Sequence, residues 1–342
     1  MAPKHALLTA ARLSGLSMLA RAATGSQLRI LCYHGAWVTP GPNFGNSLFM
    51  GPDQFEARMA RLRRSGLPVL PLGEAVDRLA ANDLPPAAVV ITIDDGWAST
   101  RTHMLPVLER YELPATLYAT TWYAQRDLPV INVAIDYFLA MAAGRGLRTE
   151  PRAVLIRRIE SLPESERLDA LRATGRALGV DEAWLVRRQF HLMQGGELAE
   201  CRARGLEIGL HTHRHIDVAS NIGRLDQEVA ENRDYLAEVL GEQPSSHFCY
   251  PSGTWHRSAP ALLAQNGVAS ATLVREGLNA PAANPYALRR FVDGRGVAQV
   301  EFDAYLSGAL HYLTALRGFA NGIVLEGPRK AAAASSMMLC AL

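Results

Sequence analysis

Four short apolar runs in this chain each end in a polar or ionisable cluster, and that repetition limits the fold more than any other feature. Leu28-Arg29-Ile30-Leu31-Cys32-Tyr33 ends at His34, and Val89 to Ile93 ends at Asp94-Asp95-Gly96. Leu206 to Leu210 ends at His211, and His247-Phe248-Cys249-Tyr250 ends at Pro251-Ser252-Gly253. Short β-rich runs of this kind read as buried strands. Helical patterns lie between them. Phe55, Met59 and Leu62 recur at i, i+4, i+7 before Gly66, and Leu225, Val229, Leu236 and Val239 do so before Gly241. Strands alternating with helices imply parallel βα units. Reactive residues at the C-terminal ends of several strands suit a (β/α) barrel, although an open doubly wound sheet would also gather a site there. The barrel is preferred because the polar ends come from four strands spread along the chain.

The chain has 342 residues. At ~150 residues per domain that is two domains, and it is equally one barrel of about 250 residues with an insertion. The stretch from about 125 to 195 supports the insertion. It has no clear buried strand, and it carries helical patterning at Ile135, Phe138 and Leu139, at Val154, Leu155 and Ile159, and at Leu168 and Leu171. A substrate lid and a decorative or oligomer-forming subdomain fit this stretch equally well. The expected division is residues 1–26 as an N-terminal helix, 27–300 as the barrel with its insertion, and 301–342 as a helical segment and weakly docked tail.

Lys and Arg number 35 against 33 Asp and Glu, a net charge of +2. That balance argues against nucleic acid or an anionic membrane as the main partner. Cys32, Cys201, Cys249 and Cys340 show no close spacing, so neither a disulfide framework nor a zinc knuckle is expected. The segment Lys4 to Ala23 is apolar, but Arg12 and Arg21 interrupt it. It reads as a weak signal peptide, or better as an amphipathic helix packed on the body or lying on a membrane surface. With no transmembrane run, a cytoplasmic location is slightly favoured.

The chemistry concentrates in two clusters. His211 and His215 are four residues apart and can close on one divalent ion from a helical turn or a tight loop. Asp95 is the natural third ligand. His213, two residues from each neighbour, would face away in an extended segment. Adjacent carboxylates such as Asp94 and Asp95 repel unless a positive charge stands beside them, and a cation there would leave Asp94 free as a base. Asp-Asp-Gly alone is also a common helix N-cap, and paired histidines are common in hydrogen-bonded turns.

These motifs resemble the polysaccharide deacetylase superfamily, the NodB-homology domain of carbohydrate esterase family 4. Thr92-Ile93-Asp94-Asp95-Gly96 looks like its Thr-Phe-Asp-Asp-Gly motif, and His211-Thr212-x-x-His215 looks like its His-Ser/Thr-x-x-His motif. Phe248-Cys249-Tyr250-Pro251-Ser252-Gly253 resembles its aromatic run ending Pro-Tyr-Gly, and Leu31-Cys32-Tyr33-His34 resembles its opening Tyr-His strand. The likeness runs from about Leu28 to Val292, with the insertion set aside. It implies a distorted (β/α) barrel with a helical insertion, and metal-dependent removal of N-acetyl groups from a sugar polymer. By the same likeness Asp94 is the general base, and Asp95, His211 and His215 hold the metal, zinc first with cobalt, nickel or manganese as alternatives. The backbone N–H of Ser252 would face the oxyanion.

The chain departs from the pattern in three places. Ile93 replaces the usual Phe, and Ser252 replaces the usual Tyr. Cys249 stands where many members carry an arginine that orients the base, a role open to Arg289 or Arg290 or left unfilled. The family's late Leu-x-x-His motif has no clear copy, so the general acid falls to His34 first among His34, His247, His256 and His311, with a structural role for His34 as its rival. Among Trp97, Trp122, Tyr123 and Trp255, core packing is the default, and Trp255 is the one expected to meet a sugar ring. A related amidohydrolase on a small non-sugar amide, and a non-catalytic glycan-binding protein of the same fold, are the competing readings.

Overall fold

The computed structural model describes residues 3–313 except 42 and 47. Residues 314–342, with Cys340 and the expected tail, lie outside the described residues.

Among the described residues, seven strands form one all-parallel sheet. They are β1 (Arg29–Tyr33), β4 (Val89–Ile93), β5 (Thr116–Ala119), β6 (Glu207–Leu210), β7 (His247–Cys249), β8 (Ser270–Thr272) and β9 (Phe291–Val292), in the spatial order β8-β7-β6-β5-β4-β1-β9. The small pair β2 (Gly35–Ala36) and β3 (Phe49–Met50) leans on the loop after β1. The sheet curls. Leu288 bridges to Thr272 of β8, and three residues later Phe291 pairs with Leu31 of β1. One short segment thus links the two ends, which gives a distorted (β/α) barrel. β5 and β8 are short and rich in Thr, Ser and Ala, and β9 has only two residues, so the three carry little of the apolar signal that marks the other strands.

Strand alternation sorts the side chains into two sets. Leu31, Tyr33, Ile91, Ile93, Leu117, Leu210, Phe248 and Tyr250 face outward into the main apolar core. There they meet the surrounding helices α3 (Pro52–Arg64), α5 (Leu105–Arg110), α10 (Gly195–Ala203), α11 (Leu225–Leu240), α12 (Ala259–Gln265) and α13 (Gln299–Leu306). Ile30, Val90, Tyr118 and Cys249 face inward, where α4 (Leu72–Ala80) packs with Leu72, Ala75, Val76 and Leu79. Gly209 makes room inside: a Cβ there would lie 3.1 Å from the Tyr118 ring and 2.9 Å from the His247 carbonyl. The remaining inward positions are polar and buried, among them Thr92, Asp94, His211, Thr272 and Arg290. An interior of this kind is a site rather than a filler.

Helices α1 (Pro3–Leu13) and α2 (Leu16–Ala23) break at Gly15, whose φ is +79°, so the N-terminal segment is two helices rather than one. The insertion contains α6 (Ile131–Gly144), α7 (Arg152–Glu160), α8 (Glu164–Ala177) and α9 (Ala183–Val186). It has its own apolar core, built on Ile135, Phe138, Leu155, Leu171, Trp184 and Phe190. Of the eleven arginines in 125–195, six are in ion pairs: Arg126 with Glu164, Arg152 with Asp136, Arg158 with Glu150, Arg172 and Arg176 with Glu182, and Arg188 with Glu197.

Candidate active site

The site lies where β1, β4, β6 and β7 end, and its backbone is unusual. Asp95, Thr212, His215 and Ser252 all have positive φ, between 56° and 72°. For residues with a Cβ this conformation is uncommon and strained, and it persists only where the surroundings enforce it.

At the end of β4, the Asp94 N–H donates to the Tyr33 carbonyl (2.9 Å), and the chain then turns through Asp95. The turn splits the two carboxylates. Asp94 points inward, where Arg290 donates to both of its oxygens, from Nη1 to Oδ1 at 2.6 Å and from Nη2 to Oδ2 at 2.7 Å. The thiols of Cys249 and Cys32 also reach Oδ2, at 3.4 and 3.5 Å. Burial by itself would raise the Asp94 pKa. The charge and hydrogen bonds of Arg290 outweigh it and hold the carboxyl at about 2. The Arg289 side chain lies beside Gly277 instead, and its backbone N–H donates to Asn279 Oδ1.

Asp95 divides its oxygens. Oδ1 faces His211 Nε2 at 3.2 Å and His215 Nε2 at 3.4 Å, while Oδ2 accepts the Trp97 indole N–H at 2.8 Å. The three facing donor atoms lie within 4.8 Å of one another, and all three residues are buried. The histidines sit in a loop, not on a helix, with rings 4.8 Å apart at 79°. Asn232 of α11 accepts the His211 N–H at 2.9 Å, and Glu228 accepts the N–H of His213 at its carbonyl and that of Arg214 at its carboxylate. His213 turns away, its Nδ1 2.8 Å from the Thr121 hydroxyl.

The donor set fits a divalent cation. His211 Nδ1 lies 2.8 Å from the Cys249 carbonyl, which can only accept, so Nδ1 carries the hydrogen. In the neutral ring, Nε2 is then a lone pair facing a carboxylate oxygen. Two acceptors in contact require a positive charge between them, and two imidazoles with one carboxylate are a common zinc set. Were the Nε2 atoms protonated instead, their hydrogen bonds would hold Asp95 well below the ordinary carboxylate range, against the burial that raises it. Two other triads share this spacing, Cys32-His34-Asp94 and Asp94-His211-Cys249. Both depend on Asp94, which Arg290 already occupies, and Arg290 Nη2 also lies 3.0 Å from the Cys249 sulfur.

His34 stands at the end of β1, buried, with Nε2 3.9 Å from Asp94 Oδ2 and Nδ1 without a hydrogen-bond partner among the described residues. Burial lowers its pKa, against the pull of Asp95 and Asp94. Ser252 occupies the turn Pro251–Gly253 after β7, and Trp255 follows, half-buried against the main core. His247 begins its strand beside Ser270, at the opposite end of the barrel from the site. Trp122 packs under the Arg126 guanidinium at 4.2 Å.

Sequence reasoning missed the Trp97 N–H, the two thiols around Asp94, and the supports from Asn232 and Glu228. Trp97 was visible beside Asp-Asp-Gly. The others depend on which strand and helix faces meet, and a linear pattern does not carry that.

The profile of the family described as polysaccharide deacetylase matches residues 81–271, more than half of the chain. The chain belongs to that family. Over 94 residues it is 34% identical to YxkH of Bacillus subtilis (strain 168), a protein named for the same family. That match covers 27% of this chain, and the chain spans about a third (32%) of that relative's length. Among solved structures, the Streptococcus pyogenes deacetylase PplD in complex with acetate aligns over 83% of this chain and 99% of its own, with a TM-score of 0.58 and 17% identity. IcaB from Ammonifex degensii aligns over 83% and 98%, with a TM-score of 0.54 and 21% identity. A de-N-acetylase from Aggregatibacter actinomycetemcomitans aligns over 82% and 99%, with a TM-score of 0.55 and 15% identity. At such identities the likeness is one of fold. For the polysaccharide deacetylase family it is the expected distorted barrel.

Proposed function

We propose that this protein is a divalent-metal-dependent hydrolase that removes N-acetyl groups from an N-acetylated sugar in a poly- or oligosaccharide and releases acetate. The observation that carries the reading is the convergence of Asp95, His211 and His215 beside a separately held Asp94. Zinc is the ion we assign, with cobalt, nickel and manganese as competitors for the same nitrogen and oxygen donors. When bound, the cation supplies Lewis acidity, polarising the acetamide carbonyl and lowering the pKa of a water toward ~7.

The chain's own residues then divide the work. Asp94, ionised and fixed by Arg290, accepts a proton from the attacking water. A carboxylate held at about 2 is a weak acceptor, so it needs a water that is already acidified. The water oxygen joins the acetyl carbon, the C–N bond breaks, and the sugar nitrogen must gain a proton. We assign that delivery to His34, neutral at rest and 3.9 Å from Asp94, through which the proton taken from water is passed on. The backbone N–H of Ser252 would hold the oxyanion, and Trp255 would flank the sugar ring.

The test is acetate release from N-acetylglucosamine oligomers by the full chain. Acetate should appear with an equal amount of free amine, stop on chelation and return with zinc. Asp94→Asn should lower turnover by about 10²–10⁴-fold, the usual worth of a general base. Turnover of small acetamides alone would make the protein a small-amide hydrolase. Metal bound in full with no turnover on either class would make it a glycan-binding relative.

The N-terminal helices support a second, peripheral contact. Leu7, Leu13, Leu16, Met18 and Leu19 are each 50–79% exposed, and no Asp or Glu occurs before Asp53, whereas Lys4, Arg12 and Arg21 do. Such a face suits the surface of an anionic bilayer. Among the described residues no helix is long and apolar enough to cross a membrane.

A further inference from the structure

Trp97 is the residue by which the turn after β4 enters the core of the insertion. It is fully buried there, in edge contact with Phe49 (ring centroids 4.9 Å apart) and in the same apolar cluster as Val130, Phe138, Trp184, Phe190 and Leu192. The backbone is fastened as well. Trp97 and Leu192 form an antiparallel bridge, the Ala98 N–H donates to the His191 carbonyl at 2.9 Å, and the Met193 N–H donates to the Gly96 carbonyl at 2.8 Å. The same strap is tied on its other side. The Gln189 side chain accepts from the Val38 N–H at 2.6 Å and donates to the Ala36 carbonyl at 3.1 Å. Residues 189–193, at the end of the insertion, therefore clamp the loop after β1 and the turn after β4 together.

A buried indole N–H needs an acceptor. This one has Asp95 Oδ2, and it thereby settles which carboxylate oxygen is left to face His211 and His215. We propose that the insertion is a positioning element of the metal centre: its strap and aromatic core lock the Trp97 indole, which holds Asp95 Oδ2 and presents Oδ1 to the cation. This makes the insertion part of the site's rigidity rather than a lid or a decoration. The inference rests on the reading of Asp95 as a metal ligand. Outer partners of ligating carboxylates are worth about 10–100-fold in metal affinity when removed.

The experiment uses the full chain and zinc as the probe. Zinc affinity is measured by competition with a chromophoric chelator for the wild type, Trp97→Phe and Leu192→Ala, alongside thermal unfolding of the metal-free proteins and the visible spectrum of the cobalt-loaded ones. Trp97→Phe keeps most of the packing and removes the N–H. It should bind zinc about 10–100-fold more weakly and show an altered cobalt spectrum, while the metal-free protein still unfolds cooperatively at a lower temperature, as the smaller ring and the unpaired Asp95 Oδ2 require. Leu192→Ala keeps the indole but loosens the wall behind it, so it should weaken zinc in the same direction by less. Wild-type zinc affinity and cobalt spectrum in Trp97→Phe would overturn the proposal. If that variant does not fold, unchanged affinity in Leu192→Ala overturns it. A wild type that takes up no zinc is a different failure, that of the Asp95 reading itself, and the inference falls with it.

Discussion

Asp94 and Arg290 are both sealed inside the barrel, and each is the other's charge partner. Removing one side of such a pair leaves the other buried and uncompensated, at a cost of about 3–5 kcal/mol. Arg290→Ala should therefore lose that much stability, read as a lower urea midpoint with an unchanged slope, and turnover should fall with it. A loss under ~1 kcal/mol would show that the pair is not what fixes Asp94. The sequence made Asp94, Asp95, His211 and His215 readable because their spacings are local. Arg290 was readable only as one of two neighbouring arginines, since the choice depends on which one faces the barrel interior, 196 residues away from its partner. Trp97 was readable as a buried residue, but not as a hydrogen-bond donor, because the acceptor is defined by a left-handed turn at Asp95.

Elements explain the rest of what was and was not legible. β1, β4, β6 and β7 end in the four clusters that mark them in the sequence, and α3 and α11 end two residues and one residue before the glycines that were expected to stop them, Gly66 and Gly241. β8 and β9 have three and two residues, too few for alternation to register. The turn after β7 is the element most exposed to a small change. Gly253 has a φ of +65°, and a Cβ there would come within 2.7 Å of the Val274 backbone nitrogen. Gly253→Ala should destabilise the protein by about 1–3 kcal/mol and depress turnover by displacing Ser252. Thermal unfolding and acetate release together check this, and wild-type values in both would remove the turn from the site.

At the scale of the whole molecule, the parallel barrel collects strand ends at one rim, and the insertion fastens that rim from outside. The exposed face of α1 and α2 belongs to the outer layer, where α1 packs on α13 through the Arg12–Asp303 and Lys4–Glu301 ion pairs. Vesicles containing phosphatidylglycerol should sediment with the wild type. A variant carrying Leu13→Glu, Met18→Glu and Leu19→Glu should stay in solution with its fold intact. Equal sedimentation of the two would rule out this face as the lipid contact.

The central claim is that one cation at Asp95, His211 and His215 makes this barrel hydrolyse an N-acetyl sugar. The most direct test is a zinc titration of the metal-free protein, with bound zinc and acetate release followed in the same samples. The account predicts that turnover rises in proportion to bound zinc and saturates at one ion per chain, and that His215→Ala abolishes both. Full turnover without bound metal, or one bound zinc with no turnover on any N-acetylated sugar, would contradict it.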